Sequence, residues 1–165
     1  MRRAARLARA VKRFRALDRE RRSLLLEAYA YLAWARILKA LPFRWTVPSL
    51  GSSMVETPHE GDPSNEERLR RIASAVHLAS RHSWWECACL VRAVAAMKML
   101  ERRGIESTLY LGTARDADGA MIAHAWLRSG SRVLTGAEEM AGFAVVGVFG
   151  KRIETGEKRR DAAYG

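Results

Sequence analysis

The sequence predicts an α+β fold in which N-terminal helices precede an antiparallel sheet of about four strands. Up to residue 103, apolar residues recur at spacings of three and four, which is typical of helices with one buried face. After Gly104 the pattern changes to short strand-like segments separated by turns. The length of 165 residues and the hydrophobic content of 48% are those of an ordinary globular chain with a sizeable core.

The first helical region is predicted over residues 1–41, where Pro42 and Pro48 interrupt the helical pattern. Residues 46–63 are rich in proline and glycine and are predicted to form a loop. No uncharged apolar stretch is long enough to predict a membrane-spanning helix.

Two further helices are predicted before the sheet. The first begins at Ser64, which forms a capping box with Glu67, and ends near residues 80–83. The second runs from about Cys87 to Arg103, and Gly104 is a typical helix stop. The strands of the sheet are predicted at residues 107–113, 121–127, 132–135 and 143–149.

Four regions follow from these patterns. They are a basic N-terminal helical region (1–50), a loop (51–63), a core (64–150) and a charged C-terminal tail (151–165).

The net charge of +11 belongs mostly to the two ends of the chain. Residues 1–22 hold ten basic and two acidic residues, and residues 151–165 hold five basic and three acidic residues. Between them, fourteen basic residues face thirteen acidic ones. A nearly neutral body argues against a nucleic-acid groove, so we expect no nucleic-acid partner.

The Arg-rich start of the chain, residues 1–17, has the composition of a transit peptide, an anionic-membrane helix, a partner-docking helix or a solvated amphipathic helix. We do not expect it to attach the protein to a membrane. It lacks the apolar segment of a secretory signal, so we expect a cytoplasmic protein with reduced thiols.

A cysteine near the start of a buried helix, followed by a histidine on a strand, is the sharpest chemical feature. Cys89 lies in the helix that begins near Cys87, and His124 lies in the second predicted strand. A helix N-terminus and an imidazolium both stabilise a thiolate, which is the reactive form of cysteine. Papain-like and transglutaminase-like folds place a catalytic pair in this order.

Five segments in order resemble the lasso-peptide leader peptidases, which are stand-alone or fused transglutaminase-like cysteine peptidases. The resemblance covers roughly residues 65–150 and rests on Cys89-Leu90-Val91-Arg92-Ala93, Leu100 to Ile105, Leu111-Gly112-Thr113, Ala123-His124-Ala125-Trp126 and Val133-Leu134-Thr135-Gly136. It implies a transglutaminase/papain-like core in which a cysteine-bearing helix packs on the sheet. The helices that end in Leu41-Pro42-Phe43-Arg44 are also similar to the front end of that family.

The resemblance implies that the chain removes the leader from a ribosomally made lasso-peptide precursor in a bacterial cytoplasm. Nothing before residue 65 has the pattern of the β-rich leader-recognition domain found in fused members. The implied partners are therefore the precursor peptide, a separate leader-recognition protein and the ATP-dependent lasso cyclase. No cofactor is expected.

By the same resemblance, Cys89 is the nucleophile and His124 is the base. Cys87 is expected to be a packing residue. Many members carry an aspartate on the strand after the histidine, but residues 131–136 contain no acid. Glu138 is our candidate for the orienting acid, with Glu139, a backbone carbonyl or a water as the alternatives.

The oxyanion donors can be narrowed from the composition. The chain contains no glutamine, so a papain-style glutamine donor is excluded. The backbone N–H of Cys89 is the expected first donor, and a backbone amide or the indole of Trp84 or Trp85 is the expected second.

Three alternatives remain open at this point. His77, His82, Cys87 and Cys89 are possible zinc ligands, although one residue between the cysteines is an awkward spacing. The basic N-terminal arm predicts a non-catalytic peptide-binding module as a second alternative. A transglutaminase-like acyl transferase would use the same thiol and imidazole and would differ only in its acceptor.

Overall fold

The computed structural model describes residues 14–153 and has the predicted α+β architecture. Its helices are α1 (Arg19–Ala40), α2 (Phe43–Leu50), α3 (Glu66–His82) and α4 (Cys89–Glu101), with 3₁₀ turns at Pro63–Asn65 and Met140–Gly142. Its strands are β1 (Ser52–Ser53), β2 (Ser107–Arg115), β3 (Met121–Ser129), β4 (Arg132–Thr135) and β5 (Ala144–Lys151). The predicted cysteine-bearing helix is α4, which begins at Cys89 itself.

The five strands form one antiparallel sheet in the order β1-β5-β2-β3-β4. The four predicted strands are present, and β1 is an addition within a stretch that was predicted to be loop. β1 is only two residues long and pairs with Gly150 and Phe149 of β5. A pairing this short leaves no alternating pattern in the sequence.

The N-terminal helices differ from the prediction in two places. The helical region breaks at Leu17 and Asp18, because the Asp18 side chain accepts a hydrogen bond from the Arg21 N–H and caps α1. The part of the predicted helix before residue 14 lies outside the described residues.

The predicted loop also begins too early, because α2 continues through Pro48. Thr46 and Leu50 of α2 are buried, and this tertiary packing outweighs the unfavourable proline.

The predicted capping box at Ser64 and Glu67 is wrong. Asp62 caps this end instead, since its carboxylate accepts hydrogen bonds from the N–H and hydroxyl of Ser64. Glu67 pairs with Arg70 and Arg71 on the next turn of α3.

The core lies between the helices and one face of the sheet. Much of α4 is fully buried, from Val91 to Leu100, and α1 and α3 both pack against it and against each other. The sheet contributes Leu109, Ala125 and Leu127 to this core. α1 lies in the predicted N-terminal region (1–50), yet it shares one apolar core with the later helices.

The opposite face of the sheet is polar and aromatic. Side chains alternate between the two faces along a strand. Ala125 and Leu127 of β3 face the core, so His124, Trp126 and Arg128 share the opposite face. Tyr110 of β2 is opposite Trp126 and stacks on it at a centroid distance of 5.5 Å. We call His124, Trp126 and Arg128 the β3 row.

Arg128 fixes one end of the β3 row. Its guanidinium donates to the carbonyls of Thr57, Pro58 and Gly130 at 2.9, 3.1 and 2.7 Å, and its Nε donates to the Tyr110 hydroxyl at 3.0 Å. Burial raises the pKa of Tyr110, and the nearby guanidinium opposes that rise. These bonds attach the segment before α3, which contains Thr57 and Pro58, to β3.

Among the helices of residues 14–153, none combines the length and apolar character needed to cross a bilayer. The basic arm before residue 14 and the tail after residue 153 lie outside the description, so the proposed region boundaries stay predictions.

Candidate active site

Cys89 is the first residue of α4, and its N-cap, Ala88, has no side chain that could cap the helix. The positive end of the helix dipole therefore lies at the thiol. Cys89 is half-buried beside the apolar core, and its thiol is free. Cys87 is also half-buried and free, but it precedes the helix.

His124 lies at the other end of the β3 row from Arg128 and is only 5% exposed. Its Nε2 is 3.0 Å from the carbonyl oxygen of Gly136. A carbonyl oxygen only accepts hydrogen bonds, so Nε2 carries the proton. In the neutral ring Nδ1 is then the bare nitrogen, available to take a proton.

Glycine is required at position 136 to make this contact. Gly136 has a φ of +76°, and a Cβ there would be 2.7 Å from the Ala125 carbonyl oxygen and 2.9 Å from His124 Nε2. Both the left-handed backbone and the lack of space exclude a side chain. Gly136 thus supplies a backbone carbonyl as the partner of His124 Nε2.

The carboxylate beside His124 is that of Glu139. Its Oε2 is 3.3 Å from Nδ1, and its side chain is 69% exposed. The contact is attractive when the ring is protonated, since a bare Nδ1 and a carboxylate are both acceptors. Glu138, our candidate from the sequence, lines the neighbouring cavity but makes no ion pair or hydrogen bond with His124 among the described residues.

Aromatic rings enclose the imidazole. Phe143 packs against it at a centroid distance of 5.1 Å, and Trp126 stacks at 5.9 Å. These contacts and the Gly136 carbonyl hold the ring in one orientation, as a positioned base requires.

A cavity of about 200 Å³ opens beside His124. Residues of α3, α4, β4 and the segment after β4 line it, among them Val76, Arg92, Thr135 and Glu139. This volume is smaller than the roughly 300–1,000 Å³ of a drug-sized ligand site and suits a single side chain.

The two halves of the predicted catalytic pair are not hydrogen-bonded to each other in residues 14–153. Neither cysteine lines the cavity, whereas Arg92, which follows Cys89 by three residues on α4, lines it together with His124. Residues three apart on a helix are surface neighbours. The cavity therefore connects His124 with the first turn of the cysteine-bearing helix.

The tryptophans before α4 have different surroundings. Trp84 is 87% exposed, whereas Trp85 is half-buried and packs against Tyr29 at a centroid distance of 4.8 Å. The indole nitrogen of Trp85 is buried without a hydrogen-bond partner among the described residues.

The side chains of the zinc alternative do not assemble. Within the described part of the chain, no three His, Cys, Asp or Glu side chains come together as metal ligands. His82 Nδ1 instead contacts the Leu78 carbonyl at 2.9 Å in the last turn of α3.

Sequence reasoning named a backbone carbonyl among the alternatives for the orienting group, but it left three features of this site unassigned. The Gly136 carbonyl has no signature in a sequence, because every residue carries one. Arg92 and Thr135 were noticed only as members of motifs, and nothing assigned them a role. The sequence signal that could have identified them is their proximity to motif residues: Arg92 follows Cys89 by three positions, and Thr135 directly precedes Gly136.

Comparison with known proteins gives one match, to a family model described as the transglutaminase-like superfamily, over residues 31–148. No curated protein and no solved structure matches the chain. The matched range covers α2 to β4, the second half of α1 from residue 31 and much of β5, and so includes Cys89, His124 and Gly136. The chain therefore belongs to the transglutaminase-like superfamily.

Proposed function

We propose that the chain is a cysteine peptidase in which Cys89 is the nucleophile and His124 the base. The observation that carries this proposal is the hydrogen bond from His124 Nε2 to the Gly136 carbonyl. It assigns the proton to Nε2 and leaves Nδ1 as the site that receives the thiol proton. The position of Cys89 at the start of α4 supports the same role.

The reaction begins when the Cys89 thiol passes its proton to His124 Nδ1. The thiolate then attacks the substrate carbonyl carbon, and the oxygen takes up the negative charge. The Cys89 N–H at the helix start is the proposed first donor to this oxyanion, and the unpartnered Trp85 indole is the proposed second.

Collapse of this intermediate breaks the peptide bond, and the imidazolium protonates the leaving amine. Water then attacks the thioester, with His124 as the base, and releases a carboxylate and the free thiol. Atoms and protons balance without a cofactor.

The Glu139 carboxylate must move away from His124 Nδ1 before the thiol can pass its proton to that nitrogen. Its carboxylate lies 3.3 Å from the nitrogen that the thiol has to reach. Because the side chain is largely exposed, it can turn into solvent while the substrate brings Cys89 and His124 together. Catalytic hydrogen bonds often tighten only in the substrate complex.

The proposed substrate is the leader of a ribosomally made lasso-peptide precursor, presented by a separate leader-recognition protein. The motifs around Cys89, His124 and Gly136 support this choice, since they resemble those of the lasso-peptide leader peptidases. Freeing the core N-terminus would prepare it for an ATP-dependent cyclase.

The test is cleavage of a precursor peptide in the presence of its leader-recognition protein, followed by mass spectrometry. We expect the wild type and Cys87→Ala to release a leader with a free carboxylate, and Cys89→Ala and His124→Ala to release none. Folding of each variant is checked by circular dichroism. Full cleavage by Cys89→Ala would refute the nucleophile, and a leader joined to an added amine would indicate an acyl transferase.

A further inference from the structure

The cavity beside His124 has a mixed lining of apolar and polar residues, and two of its polar groups lack partners among the described residues. The Nε of Arg92 and the hydroxyl of Thr135 are both buried, and neither has a hydrogen-bond partner among the described residues. Both residues line the cavity. A buried donor without a partner is costly, so an occupant that accepts a hydrogen bond would be stabilised there.

Arg92 is also without an ion pair in the described part of the chain, although Glu138 and Glu139 line the same cavity. The other titratable groups that line it are His77 and His124. Both glutamates and His77 are exposed, so water screens their charges. The Arg92 Nε is buried, so bulk water does not compete for the hydrogen bond that it can donate to an occupant of the cavity.

The remaining walls match the stem of a short acidic side chain. Val76 and Leu134 are buried, and Ala73 and Ala137 complete the apolar lining. Apolar walls suit the methylene groups of aspartate or glutamate, and a guanidinium binds a carboxylate with strong, charge-assisted hydrogen bonds.

We propose that this cavity is a substrate subsite that takes a glutamate or aspartate side chain, held by Arg92 and Thr135. The proposal rests on the proposed peptidase function for its placement beside the scissile bond, because Arg92 follows Cys89 by one helical turn and His124 lines the cavity. Arg92 then selects among substrates and takes no part in proton transfer.

The first experiment measures binding without catalysis. N-acetyl-glutamate methylamide and its neutral analogue N-acetyl-glutamine methylamide are titrated separately into the full chain, and the amide signal of Thr135 is followed by NMR. We expect the acidic probe to bind about tenfold more tightly or better, as one charge-assisted hydrogen bond provides. Arg92→Gln should remove this preference.

Arg81→Gln is the matched control, since it removes the same charge from an exposed position that does not line the cavity. It should keep the preference for the acidic probe. Equal binding of the two probes to the wild type, or an equal loss in both variants, would overturn the subsite.

The second experiment separates the subsite from the proposed function. Peptides with glutamate, glutamine or alanine at each position flanking the cleaved bond are compared by KM and kcat. Cleavage without any preference for glutamate overturns the subsite and leaves the peptidase intact. Arg92-dependent binding of the acidic probe without cleavage of any peptide supports the binding site and contradicts the peptidase.

Discussion

Each end of the β3 row carries a buried side chain that can be charged, Arg128 at one end and His124 at the other, and the two differ in how many hydrogen bonds they make. At one end, the buried Arg128 has hydrogen bonds to three carbonyls and a hydroxyl. At the other, His124 has one nitrogen bonded to Gly136 and the other facing an exposed carboxylate beside a cavity. Trp126 lies between them on the same strand.

This difference separates a side chain that stabilises the fold from one that is available for catalysis. A polar side chain whose bonding capacity is used up fixes the backbone around it but has nothing left to offer a substrate. His124 is held just as firmly through one nitrogen and keeps the other available. The same contrast separates Arg128 from Arg92, whose buried Nε has no partner in the described residues.

The largest effect is expected from Arg128→Met. The substitution leaves the carbonyls of Thr57, Pro58 and Gly130 without their donor, so the free energy of unfolding should fall by about 3–5 kcal/mol. Urea unfolding followed by tryptophan fluorescence measures the loss.

Arg132→Met on the neighbouring strand is the control. Its side chain is 38% exposed and pairs with Glu66, so we expect a loss of about 1 kcal/mol or less. Equal losses in the two variants would contradict the view that the Arg128 end holds the fold.

A smaller effect, on activity, is expected from Gly136→Ala. The new Cβ would crowd both the Ala125 carbonyl and His124 Nε2, so the imidazole must move. A displacement near 1 Å at a catalytic group costs about 100-fold in rate, and we expect a loss of that order in kcat/KM.

Gly119→Ala is matched to it, because Gly119 has a φ of +80° but no atom within 4 Å of an added Cβ. Both variants should lose about 1–2 kcal/mol of stability from the left-handed backbone, and Gly136→Ala should lose more because its Cβ meets the Ala125 carbonyl oxygen. Only Gly136→Ala should lose activity. An equally active Gly136→Ala would show that the carbonyl contact does not position the base.

The smallest effect is expected from Glu139→Gln. An exposed ion pair contributes about 0.2–1 kcal/mol, and the Glu139 carboxylate has to leave His124 Nδ1 before the thiol can approach, so loss of its charge should raise kcat/KM by about 1.4- to 5-fold. Glu138→Gln keeps the Glu139 contact and should leave the rate unchanged. A loss of rate in Glu138→Gln that Glu139→Gln does not show would identify Glu138 as the orienting acid.

Much of the fold was predictable from the sequence, because long helices and alternating strands leave periodic patterns. α3, α4 and the strands β2 to β5 lie close to their predicted positions. The features that were missed depend on tertiary contacts: α2 continues through Pro48 because Thr46 and Leu50 are buried, and β1 exists through its pairing with β5.

The site was predictable in part. The motif resemblance singled out Cys89 near a helix start and His124 on a strand, while Glu139 and a backbone carbonyl were only alternatives to Glu138 as partners of the imidazole. A backbone carbonyl such as that of Gly136 has no sequence signature. Which of two adjacent glutamates approaches the ring is decided by the turn after β4, and the structure places Glu139 there.

The most direct test of the central claim is the alkylation rate of each cysteine by limiting iodoacetamide between about pH 5 and 9, followed by mass spectrometry. If Cys89 and His124 form a thiol–imidazole pair, Cys89 should react faster than Cys87 well below pH 8, roughly the range in which an unassisted thiol becomes ionised. His124→Ala should remove that advantage. Equal, slow alkylation of both cysteines in the wild type, or fast Cys89 alkylation that persists in His124→Ala, would contradict the proposed pair.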